Sequence, residues 1–324
     1  MKAVLCTRPC APEELALHEL PDPVAGEGQA VVRVRAAALN FFDTLIIAGK
    51  YQTKPAFPFS PAAELAGEVE SVGPGVTAVR PGDRVVANIG HGAAREKVAI
   101  AADRLVPLPD GLDFERAAGL IVTYGTTLYA LRERAALRAG ETLAVLGAAG
   151  GVGLAAVEIG KLTGARVIAC ASSAEKLAFA TAHGADAAVN YAEEDLKEGL
   201  RRVTDGRGPD VIYDPVGGRA TEAALRAIAW AGRFLVVGFA AGEIPRLPLN
   251  LVLLKSCDLR GVFWGAWTER DRAGYRADLR DILQWCAQGK LSAHVHKVFP
   301  LDEIAPALRA LSDRQAMGKI ILRV

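Results

Sequence analysis

The run LAVLGAAGGVGLAAVEIG at residues 143–160 limits the possible folds of this chain more than any other segment. Its first residues, Leu143–Leu146, are uniformly apolar and predict a buried strand, and residues 151–163 predict the helix that follows. The turn between them fits the pattern Gly-x-Gly-x-x-Gly, with alanine at the first position and Gly153 at the last. A glycine-rich turn between a strand and a helix is typical of dinucleotide-binding βαβ units.

In such a turn the glycines let the backbone approach a pyrophosphate closely, and the N–H groups at the helix start bind its oxygens. We therefore predict that Gly150, Gly151 and Val152 hold the pyrophosphate of a dinucleotide. A turn that only packs the helix closely on the sheet is the alternative.

Strands and helices alternate after this loop. The strand segments are nearly continuous apolar runs, which is typical of strands buried on both faces. This alternation predicts right-handed βαβ units and a doubly wound parallel sheet. The predicted strands are Arg166–Cys170, Ala187–Val189, Asp210–Tyr213 and Arg233–Val237, and the predicted helices are 174–183, 193–204 and 219–230.

The two ends of the chain have a different pattern. Short β-type runs separated by turns occupy the beginning and predict a small barrel or sandwich. A helix, a strand, a second helix and a final strand occupy the end. We expect this tail to complete the first domain, so that residues 1–123 and 267–324 form one discontinuous domain around the dinucleotide-binding domain at 124–266.

Composition narrows the possible partners. With 38 Lys+Arg against 37 Asp+Glu, the formal net charge is +1, which disfavours nucleic acid and gives no reason to expect a membrane surface as partner. The five cysteines include no Cys-x-x-Cys motif, which favours a reducing compartment over a disulfide framework or zinc cluster. No apolar run is long enough for a signal peptide or a membrane span, so we expect a cytoplasmic protein.

The end of the second parallel strand indicates which dinucleotide binds. An NAD site usually places Asp or Glu there to hold the ribose hydroxyls. This strand instead ends Ala171-Ser172-Ser173, with Lys176 shortly after, and a small polar pocket beside a cation suits the 2′-phosphate of NADP. Ser172 is alternatively a helix N-cap in a capping box with Glu175, and Lys176 a solvated lysine. The missing acid is the main reason to predict NADPH as the cofactor.

Several motifs spread over essentially the whole chain resemble those of one family. They are LNFFDTLIIAGKY, PGDRV, VTYGTTLYAL, GAAGGVG, VNY, DPVGG, VVGFAAGEIP and GKIILRV. In combination they resemble the medium-chain dehydrogenase/reductases, and within them the zinc-independent quinone oxidoreductase group that includes zeta-crystallin. The resemblance implies an α/β chain with a GroES-like β-barrel catalytic domain and a Rossmann domain. It also implies a cleft between them, where the nicotinamide meets its acceptor.

The zinc-dependent branch of that family carries Cys, His and carboxylate ligands, which a catalytic zinc ion needs in convergent positions. Here the first corresponding segment reads ALNFFD and has no Cys. The second reads SPAAELAG, so that Glu64 remains but no His precedes it. The resemblance therefore implies an enzyme without a metal.

The resemblance also assigns site residues. Asn40, Asp43 and Tyr51 match Asn-x-x-Asp followed by Tyr, and would line the cleft as catalytic residues. Ser172, Lys176 and Tyr191 would contact the 2′-phosphate. The remaining cofactor contacts, mostly beside the nicotinamide half, would come from Thr126 or Thr127, Gly238, Phe239, Phe263, Trp264 and Gly265.

Some of these residues have structural alternatives. Asn40 also suits a helix N-cap, and Asp43 could bridge within the same helix. Tyr51 and Trp264 could be core aromatics with satisfied polar atoms. Leu45 stands where some relatives carry a second tyrosine, so a proton would come from Tyr51, Asp43 or water.

The resemblance implies a quinone oxidoreductase in which a hydride, or single electrons, pass from NADPH to a quinone or similar conjugated small-molecule acceptor. Two alternatives stay open: an enone or enoyl-thioester reductase, and a non-catalytic NADPH-binding structural or sensor protein. Family members commonly associate through the edge of the Rossmann sheet. The apolar run Leu249–Leu254 and the strand near Leu259–Phe263 therefore predict a homodimer.

Overall fold

A computed structural model describes residues Met1–Val324. The chain divides into two compact units. The first unit contains Met1–Val122, Leu279–Gly289 and Ala293–Val324, and the second contains Thr123–Asp278 and Lys290–Ser292. The finer boundaries that we expect from the sequence, at residues 123 and 267, stay a prediction.

Most strands are short, and the longest has 11 residues. In chain order the strands are β1 (Lys2–Leu5), β2 (Ala16–Glu19), β3 (Gln29–Leu39), β4 (Glu64–Val72), β5 (Arg84–Asn88), β6 (Lys97–Ala101), β7 (Val106–Pro107), β8 (Thr142–Leu146), β9 (Arg166–Ala171), β10 (Ala187–Asn190), β11 (Val211–Asp214), β12 (Arg233–Val236), β13 (Asp258–Gly261), β14 (Val295–Pro300) and β15 (Lys319–Arg323).

None of the helices combines the length and the apolar character needed to cross a membrane. In chain order the helices are α1 (Phe41–Ile47), α2 (Phe114–Ala118), α3 (Ile121–Tyr129), α4 (Gly151–Leu162), α5 (Ala174–Ala182), α6 (Leu196–Arg202), α7 (Arg219–Ala227), α8 (Asn250–Lys255), α9 (Trp264–Arg270), α10 (Arg272–Ala287) and α11 (Ile304–Ser312).

The first unit is organised around β3, which pairs antiparallel with β15, β4 and β6. The strand order of its main sheet is β14-β15-β3-β4-β5-β7. The buried apolar side chains of β3 and β4 form one core with those of α1 and α11, to which Leu39, Ile46, Leu65 and Leu308 belong. The last strand of the chain therefore lies beside a strand from its beginning.

The second unit contains six parallel strands in the order β10-β9-β8-β11-β12-β13. Every residue of the central strands β8 and β11 is buried, as expected where helices cover both faces of a sheet. The order reverses between β8 and β11, and ligands of such sheets bind at the carboxyl ends of the strands near that point.

The predicted helix 193–204 is shorter in the structure. Asp195 has extended backbone angles, and its carboxylate accepts the N–H of Glu198 at 3.0 Å. An N-cap of this kind fixes the helix start, so α6 begins at Leu196.

Candidate active site

The glycine loop follows β8 and leads into α4, with Gly150 as the N-cap and Gly151 as the first helical residue. Gly147 has a φ of +62°, in the left-handed region that favours glycine. The sharpest turn of the loop therefore falls at residue 147, which explains why the pattern tolerates Ala148 at its first position.

Gly150 and Gly153 differ in the room around them. A Cβ atom on Gly153 would lie 2.1 Å from the carbonyl oxygen of Gly147, so glycine is required there for α4 to pack on the sheet. A Cβ atom on Gly150 would meet that same oxygen at an ordinary 3.5 Å and nothing else within 4 Å. Packing within the protein therefore does not explain glycine at position 150. Open space at the N-terminus of a helix fits a phosphate group.

Thr127 supports the loop from inside the second unit. Its Oγ1 atom donates to the carbonyl oxygen of Val152 at 3.3 Å and lies 2.9 Å from the hydroxyl of Tyr213. Thr127 and Tyr213 are completely buried, whereas Thr126 is half-buried. A contact of Thr126 or Thr127 with the cofactor stays a prediction from the sequence.

The residues predicted to hold a 2′-phosphate lie at the carboxyl ends of β9 and β10. Ser172 follows β9 and is exposed, and Lys176 is half-buried in α5. Tyr191 follows β10, and its N–H donates to the carbonyl oxygen of Ala171 at 3.1 Å. The N-cap of α5 is Ser173, whose Oγ accepts the N–H of Lys176 at 3.3 Å. The alternative that Ser172 is the N-cap is therefore wrong, because the helix begins one residue later.

A buried carboxylate shapes the turn after β11. Asp214 accepts the N–H groups of Val216 and Gly217 at 2.8 and 2.9 Å and the hydroxyl of Thr221 at 2.6 Å. Burial raises the pKa of Asp214, and the hydrogen bonds from Thr221, Gly217 and Val216 oppose that shift. A Cβ atom on Gly217 would lie 2.9 Å from the ring of Phe239, so this turn and Phe239 are in close contact.

The remaining predicted cofactor contacts follow β12 and β13 and differ in exposure. Trp264 is 5% exposed, and a Cβ atom on Gly125 would lie 2.7 Å from its ring. The Nε1 atom of Trp264 is buried without a hydrogen-bond partner. Trp264 is therefore not a core aromatic whose polar atom is satisfied within the protein. Phe263, in contrast, is 65% exposed. The other half-buried or exposed members are Gly238, Phe239 and Gly265.

A buried polar cluster lies in the first unit, at the junction of three strands. Antiparallel pairing puts Ile320 opposite Leu39 and Ala38 opposite Glu64. This register brings the end of β3 beside the beginnings of β15 and β4. The buried polar side chains gathered there are Asn40, Asp43, Glu64 and Lys319.

The ammonium of Lys319 is fully hydrogen-bonded within this cluster. It donates to Glu64 Oε1 at 2.8 Å, to Asn40 Oδ1 at 2.6 Å and to the carbonyl oxygen of Leu39 at 3.2 Å. Asn40 Nδ2 donates to Glu64 Oε1 at 2.8 Å, and the N–H of Val122 donates to Glu64 Oε2 at 2.6 Å. Asn40 stands at the N-cap position of α1, but its side chain binds these charges and not a helix N–H.

Asp43 lies on α1 at the edge of the cluster. Its Oδ2 accepts the N–H of Asn40 at 2.8 Å, and its Oδ1 accepts the N–H of Ala62 at 3.2 Å. Burial raises the pKa of Asp43 to about 7, although the N–H of Asn40 and the charge of Lys319 oppose that shift. The structure thus brings Asn40 and Asp43 together, and Asp43 also makes the bridge at the helix start that the sequence allowed.

Tyr51 follows α1 and is half-buried. Its ring stacks on that of Phe42, with centroids 5.4 Å apart and planes inclined by 22°. Burial, and then the charge of Asp43, raises the pKa of Tyr51, so its hydroxyl stays protonated at neutral pH. The catalytic roles of Asn40, Asp43 and Tyr51 stay predictions.

Sequence reasoning missed Lys319. The available signal was a lysine at the start of the buried, apolar strand β15, where a charge needs a partner. Its ammonium binds the carboxylate of Glu64, and the cluster contains no Cys or His, so the donor set does not fit zinc. Among residues 1–324, no group of three or more His, Cys, Asp and Glu is placed to hold a metal ion.

Two family models match separate parts of the chain. The family described as "Alcohol dehydrogenase GroES-like domain" matches residues 26–110, and "Zinc-binding dehydrogenase" matches residues 151–287. The chain is an oxidoreductase of the medium-chain dehydrogenase/reductase superfamily, with a GroES-like domain and a six-stranded Rossmann sheet. The predicted fold class is confirmed.

Within this superfamily the chain belongs to the quinone oxidoreductase group, as the motifs predict. The quinone oxidoreductase-like protein 2 homolog of Nematostella vectensis is 38% identical over 300 residues, which cover 92% of this chain and 82% of that one. The quinone oxidoreductase of Pseudomonas aeruginosa is 35% identical over 320 residues, which cover 96% of both chains. The crystal structure of Escherichia coli quinone oxidoreductase complexed with NADPH superposes with a TM-score of 0.94 and 29% identity, covering 100% of both chains.

Proposed function

We propose that this chain is an NADPH-dependent quinone reductase, which passes a hydride or single electrons from NADPH to a quinone or a similar conjugated acceptor. Its place in the quinone oxidoreductase group supports the reaction class. The observation that carries the proposal is the open space around Gly150. Packing within the protein does not require glycine at this position. That space suits the pyrophosphate of the cofactor found in the Escherichia coli relative.

The glycine loop supplies a binding site for the pyrophosphate. Helix α4 has 12 residues, and no side chain caps its N-terminus at Gly150. The N–H groups at Gly151 and Val152 and the partial positive charge of the helix start would bind the phosphate oxygens. Thr127 holds this turn through its bond to the carbonyl oxygen of Val152.

The end of β9 supports NADPH over NADH. The residues there are Ala171, Ser172 and Ser173, so no carboxylate is present to bind ribose hydroxyls or to repel a phosphate. Lys176 and Tyr191 lie at the same edge of the sheet and would complete a pocket for the 2′-phosphate.

When bound, NADPH supplies a hydride from C4 of its nicotinamide ring. The exposed side chain of Phe263 and the half-exposed Phe239 lie at the carboxyl edge of the sheet and would flank this half of the cofactor. Thr126, Gly238 and Gly265 would contribute further contacts there. Trp264, next to Gly265 in the sequence, has an Nε1 donor without a hydrogen-bond partner in the protein.

Two-electron reduction of a quinone leaves an oxyanion that takes up a proton. We assign this proton to the hydroxyl of Tyr51, which is half-buried and held by its stacking on Phe42. Asp43 is 1% exposed and both its oxygens accept backbone N–H groups, so we assign it to positioning. Lys319 and Glu64 hold the side chain of Asn40, which would keep the start of α1 in one conformation.

Stopped-flow oxidation of NADPH with 1,4-naphthoquinone and 9,10-phenanthrenequinone tests this function, and crotonyl and acryloyl thioesters are the comparison acceptors. We expect rapid oxidation with the quinones and slow or no oxidation with the thioesters. Turnover of the thioesters alone would replace the proposal by an enoyl-thioester reductase. Tight binding of NADPH with no turnover of any acceptor would indicate a non-catalytic binding protein.

A further inference from the structure

Two cysteines near the beginning of the chain lie close together in the first unit. The Sγ atoms of Cys6 and Cys10 are 3.6 Å apart. Cys6 is completely buried and Cys10 is half-buried. We propose that Cys6 and Cys10 are a redox-active dithiol, which low-molecular-weight disulfides such as oxidised glutathione convert to an intramolecular disulfide. This inference does not depend on the proposed function.

The backbone holds both cysteines in place. Cys6 exchanges two hydrogen bonds with Phe59, at 2.8 and 3.0 Å, and the N–H of Cys10 donates to the carbonyl oxygen of Ile47 at 2.9 Å. The thiol of Cys6 donates to the carbonyl oxygen of Arg8 at 3.1 Å, inside the turn that joins the two cysteines. The sulfur atoms need to approach by roughly 1.5 Å to reach the length of a disulfide bond. The turn at residues 7–9 is largely exposed and leaves room for that movement.

The difference in exposure sets the order of the reaction. Cys10 is the accessible thiol, so its thiolate attacks one sulfur of oxidised glutathione, forms a mixed disulfide and releases one glutathione thiolate. Cys6 then gives its proton to solvent and attacks the Sγ of Cys10, which releases the second glutathione thiolate. The two cysteines together lose two electrons and two protons, and the glutathione disulfide is reduced to two thiols.

The surroundings of Cys6 keep it from reacting first. Burial, with a further contribution from Cys10, raises the pKa of Cys6 to about 12, so it is a thiol at neutral pH. In the mixed disulfide Cys10 has no ionisable thiol, so its contribution to the raised pKa of Cys6 is removed before the second step.

The other cysteines provide internal controls. Cys170 is buried in β9, and burial raises its pKa far above the ordinary value. Cys257 and Cys286 are also buried, and Cys286 accepts a hydrogen bond from Arg116. We expect none of these thiols to react in the folded protein.

The test is thiol mapping of the whole protein after treatment with oxidised glutathione. Treated and untreated samples are unfolded in the presence of N-ethylmaleimide, digested with trypsin and analysed by mass spectrometry. Residues 3–33 form one tryptic peptide with Cys6 and Cys10 as its only cysteines, because Pro9 blocks cleavage at Arg8. We expect this peptide to lose two hydrogens and both maleimide labels after oxidation, and to regain both labels after dithiothreitol.

Two variants separate the steps. Cys6→Ser should accumulate a glutathione adduct on Cys10, because no second thiol can displace it. Cys10→Ser should take up no glutathione at Cys6, with circular dichroism confirming that both variants are folded. The proposal is overturned if the peptide of the folded wild-type protein keeps both labels, or if it takes up glutathione without closing to the disulfide. If Cys6→Ser does not fold, the wild-type peptide alone still decides between these outcomes.

Discussion

The ammonium of Lys319 donates a hydrogen bond to Oε1 of Glu64 at 2.8 Å, and the two side chains are 4% and 0% exposed. Such a pair needs both partners, because each charge has lost its hydration. Asn40 bonds to both members, so the pair joins the final strand β15 to β4 and to the start of α1. This contact links the end of the chain to the predicted catalytic segment of the first unit.

Replacing Lys319 by Met should destabilise the first unit strongly. The substitution leaves the carboxylate of Glu64 buried without a cation, and breaking a buried pair in this way costs about 3–5 kcal/mol. Urea unfolding followed by circular dichroism measures the loss as a lower midpoint for the transition of that unit.

The double variant Lys319→Met with Glu64→Gln is the matched control. Glutamine removes the charge, and its amide can accept from Val122 and donate to the freed oxygen of Asn40. We expect it to recover a large part of the lost stability. An unchanged midpoint for Lys319→Met, or a double variant no more stable than the single one, would show that the ion pair does not hold this region.

Asp43 should make stability depend on pH in a specific window. Its pKa in the folded protein is about 7 against a reference value of 3.8, so between these values the folded state binds a proton that the unfolded state has lost. The stabilisation is complete below pH 4 and is lost as the pH rises towards 7. The melting temperature of wild type relative to Asp43→Asn should therefore fall across this range and then level off. A constant difference from pH 4 to pH 8 would contradict the shift.

The contrast between Asp43 and Lys319 shows which parts of the cluster can be predicted from the sequence. Asp43 is recognisable locally, because it stands three residues after Asn40 at a helix start. Lys319 meets Glu64 only through the antiparallel pairing of β15 with β3 and of β3 with β4. Strand order and register between segments so far apart in the chain cannot be read from one sequence, so this cluster needed the structure.

The second unit was more predictable for the opposite reason. Its strands and helices alternate, and the glycine loop lies between neighbouring elements, so local patterns are sufficient. The exact helix starts were not: the N-cap of α5 is Ser173 and not Ser172, and α6 begins at Leu196 and not at the predicted residue 193. Such boundaries depend on single side-chain hydrogen bonds.

Tyr51→Phe should lower kcat with quinone acceptors while leaving the KM for NADPH unchanged. Phenylalanine keeps the stacking on Phe42 but has no proton to give, and a lost general acid costs roughly 100-fold or more. Steady-state kinetics in H₂O and D₂O measure kcat and its solvent isotope effect, and both should change in Tyr51→Phe. An unchanged kcat and isotope effect would assign the proton to water. Phe42→Leu is the control for stacking alone.

Lys176→Ala should weaken NADPH binding by about tenfold or more, because a charge-assisted hydrogen bond to the 2′-phosphate is lost. NADH lacks that phosphate, so its dissociation constant should stay the same. Isothermal titration calorimetry with both cofactors measures the difference. Lys197→Ala, which removes a half-buried lysine paired with Glu198, is the control and should affect neither cofactor. Equal losses for NADPH and NADH would exclude the 2′-phosphate role of Lys176.

The dissociation constant of NADPH for Gly150→Ala tests the central claim most directly. The structure has room for the added methyl group, and the backbone at residue 150 has angles that alanine adopts, so the fold and melting temperature should be unchanged. Gly261→Ala, another site with open space, is the control for a neutral substitution. If the loop holds the pyrophosphate, the methyl group occupies its position, and the dissociation constant should rise at least about tenfold for Gly150→Ala alone. An unchanged dissociation constant in a folded Gly150→Ala protein would contradict the account.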